Sequence, residues 1–364
     1  MSKFIIICGG TGGHLVPGIA VGKALIKAGH EASFVISTKN VDSVLVKKYD
    51  DLKVIRAPGC PFSLNPIKFC KFAVQLVKSV RFGIKNLKEG GYDLVLSFGG
   101  FNSLGFSIAA AMLKVPLVIH EANRKAGKAT RFLGHFAKRI YVPYGVQIQK
   151  SHTEHLKYAG YPLRDEIRKL PPSACRELFG FSPDARLLLV LGGSQGAAAL
   201  NQWANDNFPN LAKCNIDALC VCGPGKQSYR DMEAEGSDGN IHKIKFLEFC
   251  DKMGEAMSAA NVCLARAGAG TIAELARCRL PSVIVPYPYA ADNHQLENAK
   301  CFEKQGGCIV VEQRDIGTVE REVLELMDNE RIRKTMLRNL ERVDELNDMS
   351  KIVSDLTLLA RNVK

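Results

Sequence analysis

Residues 4–14, FIIICGGTGGH, decide the fold at the amino end of this 364-residue chain. The continuous apolar run of residues 4–8 is typical of a strand buried on both faces. The glycines after it allow a tight turn into the helical pattern of residues 17–28. The same order recurs at residues 186–197, RLLLVLGGSQGA, which lead into a second helical pattern towards Asn207. Strand, glycine turn and helix open a doubly wound α/β domain, so the sequence predicts two such domains.

The alternation of strand and helix patterns continues through both halves. Further strands are predicted at residues 32–36, 53–57, 93–97, 117–120 and 139–142, and then at 217–222, 244–246, 262–265, 282–286 and 308–311. The proline- and charge-rich stretch 160–172 is the predicted joint. We therefore expect an N-terminal domain over residues 1–163, a C-terminal domain over 164–348, and a last helix within 349–364 that packs back on the first domain. The charged helical pattern of residues 319–347 is expected to be a solvated surface element.

Composition excludes several classes of protein. Hydrophobic residues make up 46% of the chain and charged residues 24%, with a mean hydropathy of −0.03, as in a soluble globular protein and unlike a disordered or integral membrane protein. No signal peptide is expected before the first strand. None of the twelve cysteines has CxxC spacing, so we expect buried thiols in a reducing cytosol. No Asp-x-Asp, HExxH, Gly-x-Ser-x-Gly or Cys/His cluster occurs, and no metal site is predicted.

Positive charge is concentrated in the first half. Lys and Arg number 23 against 8 Asp and Glu up to Pro162, and 26 against 29 after it. The first half therefore favours an anionic partner, either a phospholipid surface or a pyrophosphate; nucleic acid is disfavoured because no recognition motif is present.

Residues 61–89 combine this charge with a helical apolar stripe. The stripe comprises Phe69, Phe72, Leu76, Val80 and Ile84, and the interleaved basic residues are Lys68, Lys71, Lys78, Arg81, Lys85 and Lys88. Such a helix either lies on a membrane surface or packs its stripe on a sheet, and the pattern alone leaves both open.

The glycine loops are candidate anion seats, because glycines let the backbone approach an anion and a helix N-terminus offers N–H groups. The first loop lacks the ending of a P-loop and the full dinucleotide GxGxxG motif. His14 at a helix N-terminus is expected to be neutral and available as a proton acceptor, or simply to cap the turn. Ser194 and Gln195 would serve a second anion in the same way.

Two later motifs are candidates for nucleotide and sugar recognition. In residues 266–274, RAGAGTIAE, Glu274 is expected in the first turn of a helix, where it could accept the hydroxyls of a ribose or have no ligand at all. The amides of residues 292–298, DNHQLEN, suit sugar recognition at a strand end, or a helix cap with solvated residues behind it.

Together these stretches carry a resemblance to a known family. The matching segments are residues 9–14 with Pro17-Gly18, residues 98–100, 120–123 and 160–164, residues 192–197 with Asn201, and residues 266–274 and 292–298. In this order and spacing the chain resembles the MurG family of peptidoglycan glycosyltransferases, in glycosyltransferase family 28. The resemblance implies a GT-B fold, in which two Rossmann-like domains face a cleft, and a reaction that needs neither metal nor cofactor.

The resemblance also implies roles for individual residues. His14 is the first choice for the catalytic base and Glu121 the second. Contacts with UDP-N-acetylglucosamine are implied for Thr11, Gly12, Gly13, Asn123, Arg164, Ser194, Leu247, Ala269, Gly270, Thr271, Glu274, His294 and Gln295. Among them Arg164 and Ser194 would contact the phosphates, the backbone near Leu247 the uracil, and Glu274 the ribose. The first glycine loop would also seat the acceptor's pyrophosphate.

The implied activity is an inverting transfer of N-acetylglucosamine to the 4-hydroxyl of N-acetylmuramic acid in undecaprenyl-pyrophosphoryl-N-acetylmuramoyl-pentapeptide (lipid I), a step of peptidoglycan synthesis that serves cell shape and division. The enzyme would be peripheral, on the cytoplasmic face of the inner membrane, with its basic helix on the anionic surface. Cell-wall synthesis proteins are possible partners, and nucleic acid is not expected.

Two alternatives are a GT-B transferase for another lipid or small acceptor and a non-catalytic scaffold that binds nucleotide sugars; an NAD-dependent oxidoreductase ranks last. Departures from the family pattern occur at Phe101-Asn102, Leu104-Gly105, Ala122, Tyr161 and His294, which bear on acceptor preference and the sugar pocket more than on reaction type.

Overall fold

The computed structural model describes residues 1–10, 12–38, 49, 51–58, 66–144, 146, 148, 155–226 and 228–361, and side chains within the helix that begins at Pro66 are described from residue 70 onward. The chain divides into two compact units. The first unit comprises residues 1–164 and 347–364, and the second comprises residues 165–346.

Each unit is built on a seven-stranded sheet. The strands of the first unit are β1 Lys3–Ile7, β2 Glu31–Ser37, β3 Lys53–Ala57, β4 Leu94–Ser97, β5 Leu117–His120, β6 Arg139–Val142 and β7 Leu156–Tyr158. Those of the second are β8 Leu187–Leu191, β9 Asp217–Val221, β10 Met232–Glu235, β11 Ile241–Leu247, β12 Val262–Ala265, β13 Ser282–Ile284 and β14 Cys308–Val310. The orders are β3-β2-β1-β4-β5-β6-β7 and β10-β11-β9-β8-β12-β13-β14. All pairs are parallel except β10 with β11.

Helices connect most of these strands. They are α1 Gly12–Lys27, α2 Pro66–Gly90, α3 Leu104–Met112, α4 Lys128–Leu133, α5 Pro172–Leu178, α6 Ala198–Lys213, α7 Met253–Ala259, α8 Ala269–Arg277, α9 His294–Lys304, α10 Val319–Asp328, α11 Glu330–Asp344 and α12 Met349–Arg361. Among the described helices, none combines the length and the apolar character needed to cross a bilayer.

The predicted α/β class with two doubly wound sheets is confirmed. All twelve strands expected from the sequence are present, and β1 shows why its run is apolar throughout: Ile5 and Ile7 enter one core cluster while Phe4 and Ile6 enter the cluster on the other face. Strands β7 and β10 were not predicted from the sequence. Strand β7 has only three residues, and β10 is an edge strand with alternating exposed glutamates.

The C-terminal helix α12 belongs to the first unit. Its Ile352, Leu356 and Leu359 lie in the same core cluster as Phe4. Asp355 on this helix is buried, accepts a hydrogen bond from the Tyr141 hydroxyl at 2.6 Å and pairs with Lys157 Nζ at 2.8 Å. Burial acts to raise the pKa of Asp355, but the hydrogen bonds from Lys157 and Tyr141 outweigh it and leave that pKa below its ordinary value.

The expectation that residues 319–347 form a solvated surface element holds for only one face of this segment. The segment forms two helices, and the Asn329 side chain begins the second by accepting a hydrogen bond from Ile332 N at 3.1 Å. Val319, Val323 and Leu326 are fully buried in the core of the second unit. The charges that suggested a solvated element occupy only the outer face of an amphipathic pair.

The stripe on α2 packs inside the protein, which decides between the two interpretations of that pattern for the described residues. Phe72 is buried in the core, and Leu76 and Ile84 pack against it. Helix α3 approaches closely enough that a Cβ on its Gly105 would lie 2.0 Å from Ser79 Oγ on α2. Lys68 and Phe69 lie outside the described side chains. The stripe is therefore not a free membrane-facing surface.

Most of the cysteines within the described residues are buried thiols. All eleven are free and eight of them are buried. Burial raises the pKa of Cys278 to about 12, so that thiol is uncharged at neutral pH.

Candidate functional site

Each sheet has a point at which its strand order reverses, and α/β proteins bind ligands at the carboxyl ends of the strands that flank this point. In the first unit β1 lies beside β4, and in the second β8 lies beside β12. The two glycine loops follow β1 and β8, so each leaves its sheet at the reversal. Each unit therefore has one candidate binding edge.

In the first unit, the glycine loop passes directly into α1. A Cβ on Gly9 would lie 2.2 Å from Ser37 N of β2, and Gly10 has a φ of +119°, so this path requires glycine. The helix begins at Gly12, earlier than the expected start near Pro17. His14 is consequently the third helical residue, within the turn whose N–H groups have no partner inside the helix. Its side chain is half-buried.

The loop after β4 lies against this turn. Gly99 and Gly100 both have positive φ, and a Cβ on Gly100 would lie 3.1 Å from Cε1 of His14. A Cβ on Gly10 would similarly lie 2.6 Å from the Asn102 side-chain nitrogen. The loops of two neighbouring strands therefore touch, and the imidazole packs over the second of them.

Glu121, which follows β5, is 6% exposed and accepts four hydrogen bonds. Its Oε1 accepts from the backbone N and Nδ2 of Asn123 at 3.0 and 3.1 Å. Its Oε2 accepts from Gly127 N at 2.9 Å and Thr130 Oγ1 at 2.8 Å. These donors make Glu121 the organiser of the loop from residue 121 to residue 130. Its action as a base and the contact of Asn123 with the donor sugar stay predictions.

His120 lies beneath the same edge and received no role from the sequence. Its ring is buried against Phe98 at a centroid distance of 5.2 Å. Burial lowers the pKa of His120, so the imidazole is neutral at pH 7. Its Nε2 lies 3.1 Å from Gly160 O, and since a carbonyl only accepts, the proton is on Nε2.

In the second unit, the glycine loop turns back on itself. Gly196 N donates to Gly193 O at 2.9 Å, and both glycines have positive φ. A Cβ on Gly196 would lie 2.0 Å from Cys222 O, so the loop packs against the end of β9. Ser194 and Gln195 are exposed at the tip. This turn offers backbone N–H groups and a hydroxyl to an anion, without a titratable side chain of its own.

Two polar side chains support this turn, and neither was predicted as a site residue. Asn201 is fully buried and donates to Cys222 O at 3.1 Å. Lys226 donates from Nζ to Gly196 O at 3.2 Å, which places a cation beside the candidate anion seat. The sequence Gly223-Pro-Gly-Lys226 directly after a predicted strand was the available signal.

Arg266 ties together the strand ends next to this loop. It is 6% exposed and donates from Nη1 to Val285 O at 3.0 Å and Pro286 O at 3.3 Å, and from Nη2 to Gln313 Oε1 at 2.6 Å. Burial lowers the pKa of this guanidinium, which nevertheless stays charged. Arg266 thus holds the carboxyl edge of the second sheet in place.

Helix α8 begins at Ala269, directly behind Arg266. No side chain caps its N-terminus, and Ala269, Gly270 and Thr271 are half-buried there, as an anion site requires. The expectation that Glu274 lies in the first turn is wrong: it is the sixth helical residue, in the second turn, because the helix starts immediately after Gly268. Glu274 is half-buried, and its contact with a ribose stays a prediction.

The amide side chains of residues 292–298 lie at the start of α9. Gln295 Oε1 accepts from Tyr287 N at 3.0 Å, and His294 donates from Nδ1 to Ala291 O at 2.7 Å. Asn298 is buried and donates to Ala267 O at 3.1 Å, so it supports the α8 loop. The roles of His294 and Gln295 in sugar recognition stay predictions. Tyr289 lies near them in sequence and is 81% exposed, and it was not predicted as a site residue.

The remaining predicted residues have different surroundings. Leu247 ends β11, and its carbonyl accepts from Cys222 N at 2.8 Å, so the sheet already uses it. Phe249, two residues further on, is 45% exposed and offers an aromatic surface, and it was not predicted as a site residue. Arg164 ends the first of the two segments that form the first unit and is half-buried. Thr11 lies outside the described residues, while Gly12 is buried and Gly13 exposed.

Comparison with known proteins identifies the family. The family model of the glycosyltransferase family 28 N-terminal domain matches residues 4–142, and that of the C-terminal domain matches residues 187–353. A UDP-N-acetylglucosamine--N-acetylmuramyl-(pentapeptide) pyrophosphoryl-undecaprenol N-acetylglucosamine transferase of Opitutus terrae is 42% identical over 99% of this chain and 96% of its own length. The protein of the same name from Aquifex aeolicus is 32% identical over 93% and 92%.

A solved structure gives the same fold. The crystal structure of Acinetobacter baumannii MurG covers 97% of this chain and 99% of its own with a TM-score of 0.71, at 22% identity. The fold is thus GT-B, as expected. From these relatives, the chain belongs to glycosyltransferase family 28 and, within it, to the MurG family of N-acetylglucosamine transferases.

Proposed function

We propose that this enzyme transfers N-acetylglucosamine from UDP-N-acetylglucosamine to the 4-hydroxyl of the N-acetylmuramoyl residue of lipid I and forms a β-1,4 linkage with inversion. The observation that carries the proposal is 42% identity over 99% of the chain to a relative named for this transfer. The two units supply what the reaction needs, namely an imidazole on one binding edge and anion seats on the other.

The second unit binds the donor in this proposal. The uncapped N-terminus of α8, the turn at Ser194 and the ammonium of Lys226 present N–H groups, a hydroxyl and a positive charge to the diphosphate. Glu274 accepts the ribose hydroxyls, and the amides at the start of α9 with Phe249 serve the sugar and the base.

The first unit binds the acceptor and removes its proton. The N-terminus of α1 seats the pyrophosphate, and His14 accepts the proton of the 4-hydroxyl as the oxygen attacks the anomeric carbon. Both Glu121 oxygens already accept two hydrogen bonds each, which favours His14 over Glu121. The bond to UDP breaks as the new bond forms, and the charge that develops on UDP is stabilised by N–H groups and Arg164.

An assay with separate donor and acceptor readouts tests the proposal. Radiolabelled N-acetylglucosamine should pass from UDP-N-acetylglucosamine to a short-chain lipid I analogue, with EDTA present throughout. Transfer to the 4-hydroxyl supports the proposal. Tight donor binding without transfer would overturn the acceptor assignment, and the absence of donor binding would overturn the whole of it.

The proposed location is the cytoplasmic face of the inner membrane, as a peripheral protein, because the lipid tail of the acceptor stays in the bilayer. Met112, Phe132 and Phe136 of the first unit are 62%, 52% and 50% exposed. The exposed Lys114 and Lys138 line the same shallow depression as Phe136. Exposed aromatic rings among lysines suit the headgroup region of an anionic bilayer.

Vesicle co-sedimentation tests this surface. Phosphatidylglycerol vesicles should bind the enzyme more strongly than phosphatidylcholine vesicles, and the F132S/F136S double variant should lose about tenfold in affinity. The matched control is Ile241→Ser, which removes a side chain of the second unit that is 61% exposed. Equal losses in both variants, or no preference for the anionic lipid, would refute the surface.

A further inference from the structure

Helix α1 contains a proline that leaves one backbone carbonyl near the proposed base without its usual partner. In an α-helix the carbonyl of residue 13 accepts from the N–H of residue 17. Residue 17 is Pro17, which has no N–H. The carbonyl of Gly13, directly before His14, therefore lacks the hydrogen bond that would ordinarily fix it.

Tyr161 supplies a hydrogen bond at this point. Its hydroxyl donates to Gly13 O at 3.3 Å across 148 residues of sequence, and its side chain is only 7% exposed. A buried phenol that donates to the first turn of α1 restrains the backbone on which the imidazole is mounted.

Tyr161 is itself held on two sides. Its backbone N donates to Asn347 Oδ1 at 2.8 Å. Its ring forms a T-shaped pair with His120, at a centroid distance of 6.5 Å and an interplanar angle of 85°, and His120 donates to the carbonyl of the preceding Gly160. Since His120 is buried and neutral, this support does not change with pH near neutrality.

We propose that Tyr161 is a positioning residue for the transfer, which acts through the Gly13 carbonyl to hold His14 and the first turn of α1 in the reactive arrangement. This rests on the proposed function of His14 as the base. Small displacements of a catalytic group lower the rate steeply, whereas donor affinity, which comes mainly from contacts with the second unit in the proposed function, changes little.

Tyr161→Phe removes only the hydroxyl and keeps the ring. We expect kcat to fall about tenfold, with the Kd of UDP-N-acetylglucosamine unchanged. The matched control is Tyr141→Phe, which also deletes a buried hydroxyl donor of the first unit, the one bonded to Asp355 on α12. It should lower thermal stability and leave kcat within about twofold of the wild-type value.

A double-mutant cycle separates positioning from general destabilisation. If Tyr161 acts through His14, Y161F causes no further loss of kcat in the H14A background, whereas two independent effects would multiply. A multiplied loss, or an unchanged kcat in Y161F alone, would overturn the proposal.

Hydrogen exchange gives a readout that does not need activity. The amides of residues 16 and 18, whose helical acceptors are the carbonyls of residues 12 and 14, should exchange faster in Y161F than in the wild type, and at the wild-type rate in Y141F. Unchanged exchange in Y161F would overturn the positioning role. An inactive wild-type enzyme whose exchange nonetheless responds to Y161F would instead count against the proposed function and leave the Gly13 contact standing.

Discussion

The two glycine loops begin alike in sequence and differ in what they present. Behind β1 the helix starts at once, and His14 is carried in its first turn against Gly100. Behind β8 the chain first closes a turn from Gly193 to Gly196, and α6 begins only at Ala198. The first loop therefore offers an imidazole together with N–H groups, whereas the second offers N–H groups and the Ser194 hydroxyl, with the Lys226 ammonium beside it.

This difference matches the two halves of a glycosyl transfer. Activation of the acceptor needs a group that can take a proton, and departure of UDP needs fixed donors around a developing charge. The same strand–loop–helix unit serves both needs because the helix after β8 starts two residues later, relative to its strand, than the helix after β1. The early start places the His14 side chain at the carboxyl end of the first sheet, and the late start leaves a glycine turn there in the second.

The largest effect is expected from His14→Ala. Loss of the general base should lower kcat about 10²- to 10⁴-fold and leave the Kd of UDP-N-acetylglucosamine within about twofold, since most of the proposed donor contacts lie in the second unit. Steady-state kinetics with a water-soluble acceptor and donor titration by calorimetry measure the two quantities. The control is His135→Ala, an exposed histidine of the first unit. Comparable losses of turnover and donor affinity would remove His14 from the role of base.

Glu274→Gln should weaken donor binding by the second unit. A hydrogen bond to a carboxylate contributes about 1.5–3 kcal/mol, so donor Kd should rise about 10- to 100-fold while kcat at saturating donor stays near the wild-type value. Glu233→Gln, on the exposed edge strand β10, is the control for loss of a negative charge. A fall in kcat with unchanged donor Kd would contradict the assignment of Glu274 to the ribose.

Gly196→Ala tests the shape of the second loop. The added methyl would meet Cys222 O at 2.0 Å, and donor affinity should fall about tenfold as the turn shifts. Gly225→Ala is the matched control, because Gly225 has a similar φ of +71° with no atom within 4 Å of the added carbon. If both variants lose the same affinity, backbone strain rather than the contact with β9 explains the result.

The smallest effect is expected on stability, at the C-terminal helix α12, which packs on the first unit. Asp355→Asn should lower the free energy of unfolding of the first unit by about 1–3 kcal/mol at pH 7. The folded-state pKa of Asp355 is depressed, so this stabilisation is complete above the unfolded value of about 3.9 and is lost as pH falls through the folded value. Urea denaturation from pH 7 to pH 3 should show the two proteins converging at acid pH; parallel curves would contradict the role of the charge.

Local patterns predicted the strands and the class of fold well, because a strand buried on both faces must be apolar along its length. The resemblance of the motifs likewise identified the family, which the relatives confirm. The errors arose where a pattern had two physical solutions. An apolar stripe on a basic helix suits a membrane or a neighbouring helix, and for α2 the glycine contact with α3 selected the second.

The sequence by itself determined two doubly wound domains, the glycine loops and their candidate side chains, since these follow from residue periodicity and from the φ values that only glycine adopts readily. The tertiary structure alone decided which atoms those side chains meet. Glu121 became a loop organiser because four donors from residues up to nine positions away converge on it. Tyr161 meets Gly13 only because β7 and β1 end at the same edge of one sheet. Contacts between residues 148 positions apart depend on strand order, which no local pattern encodes.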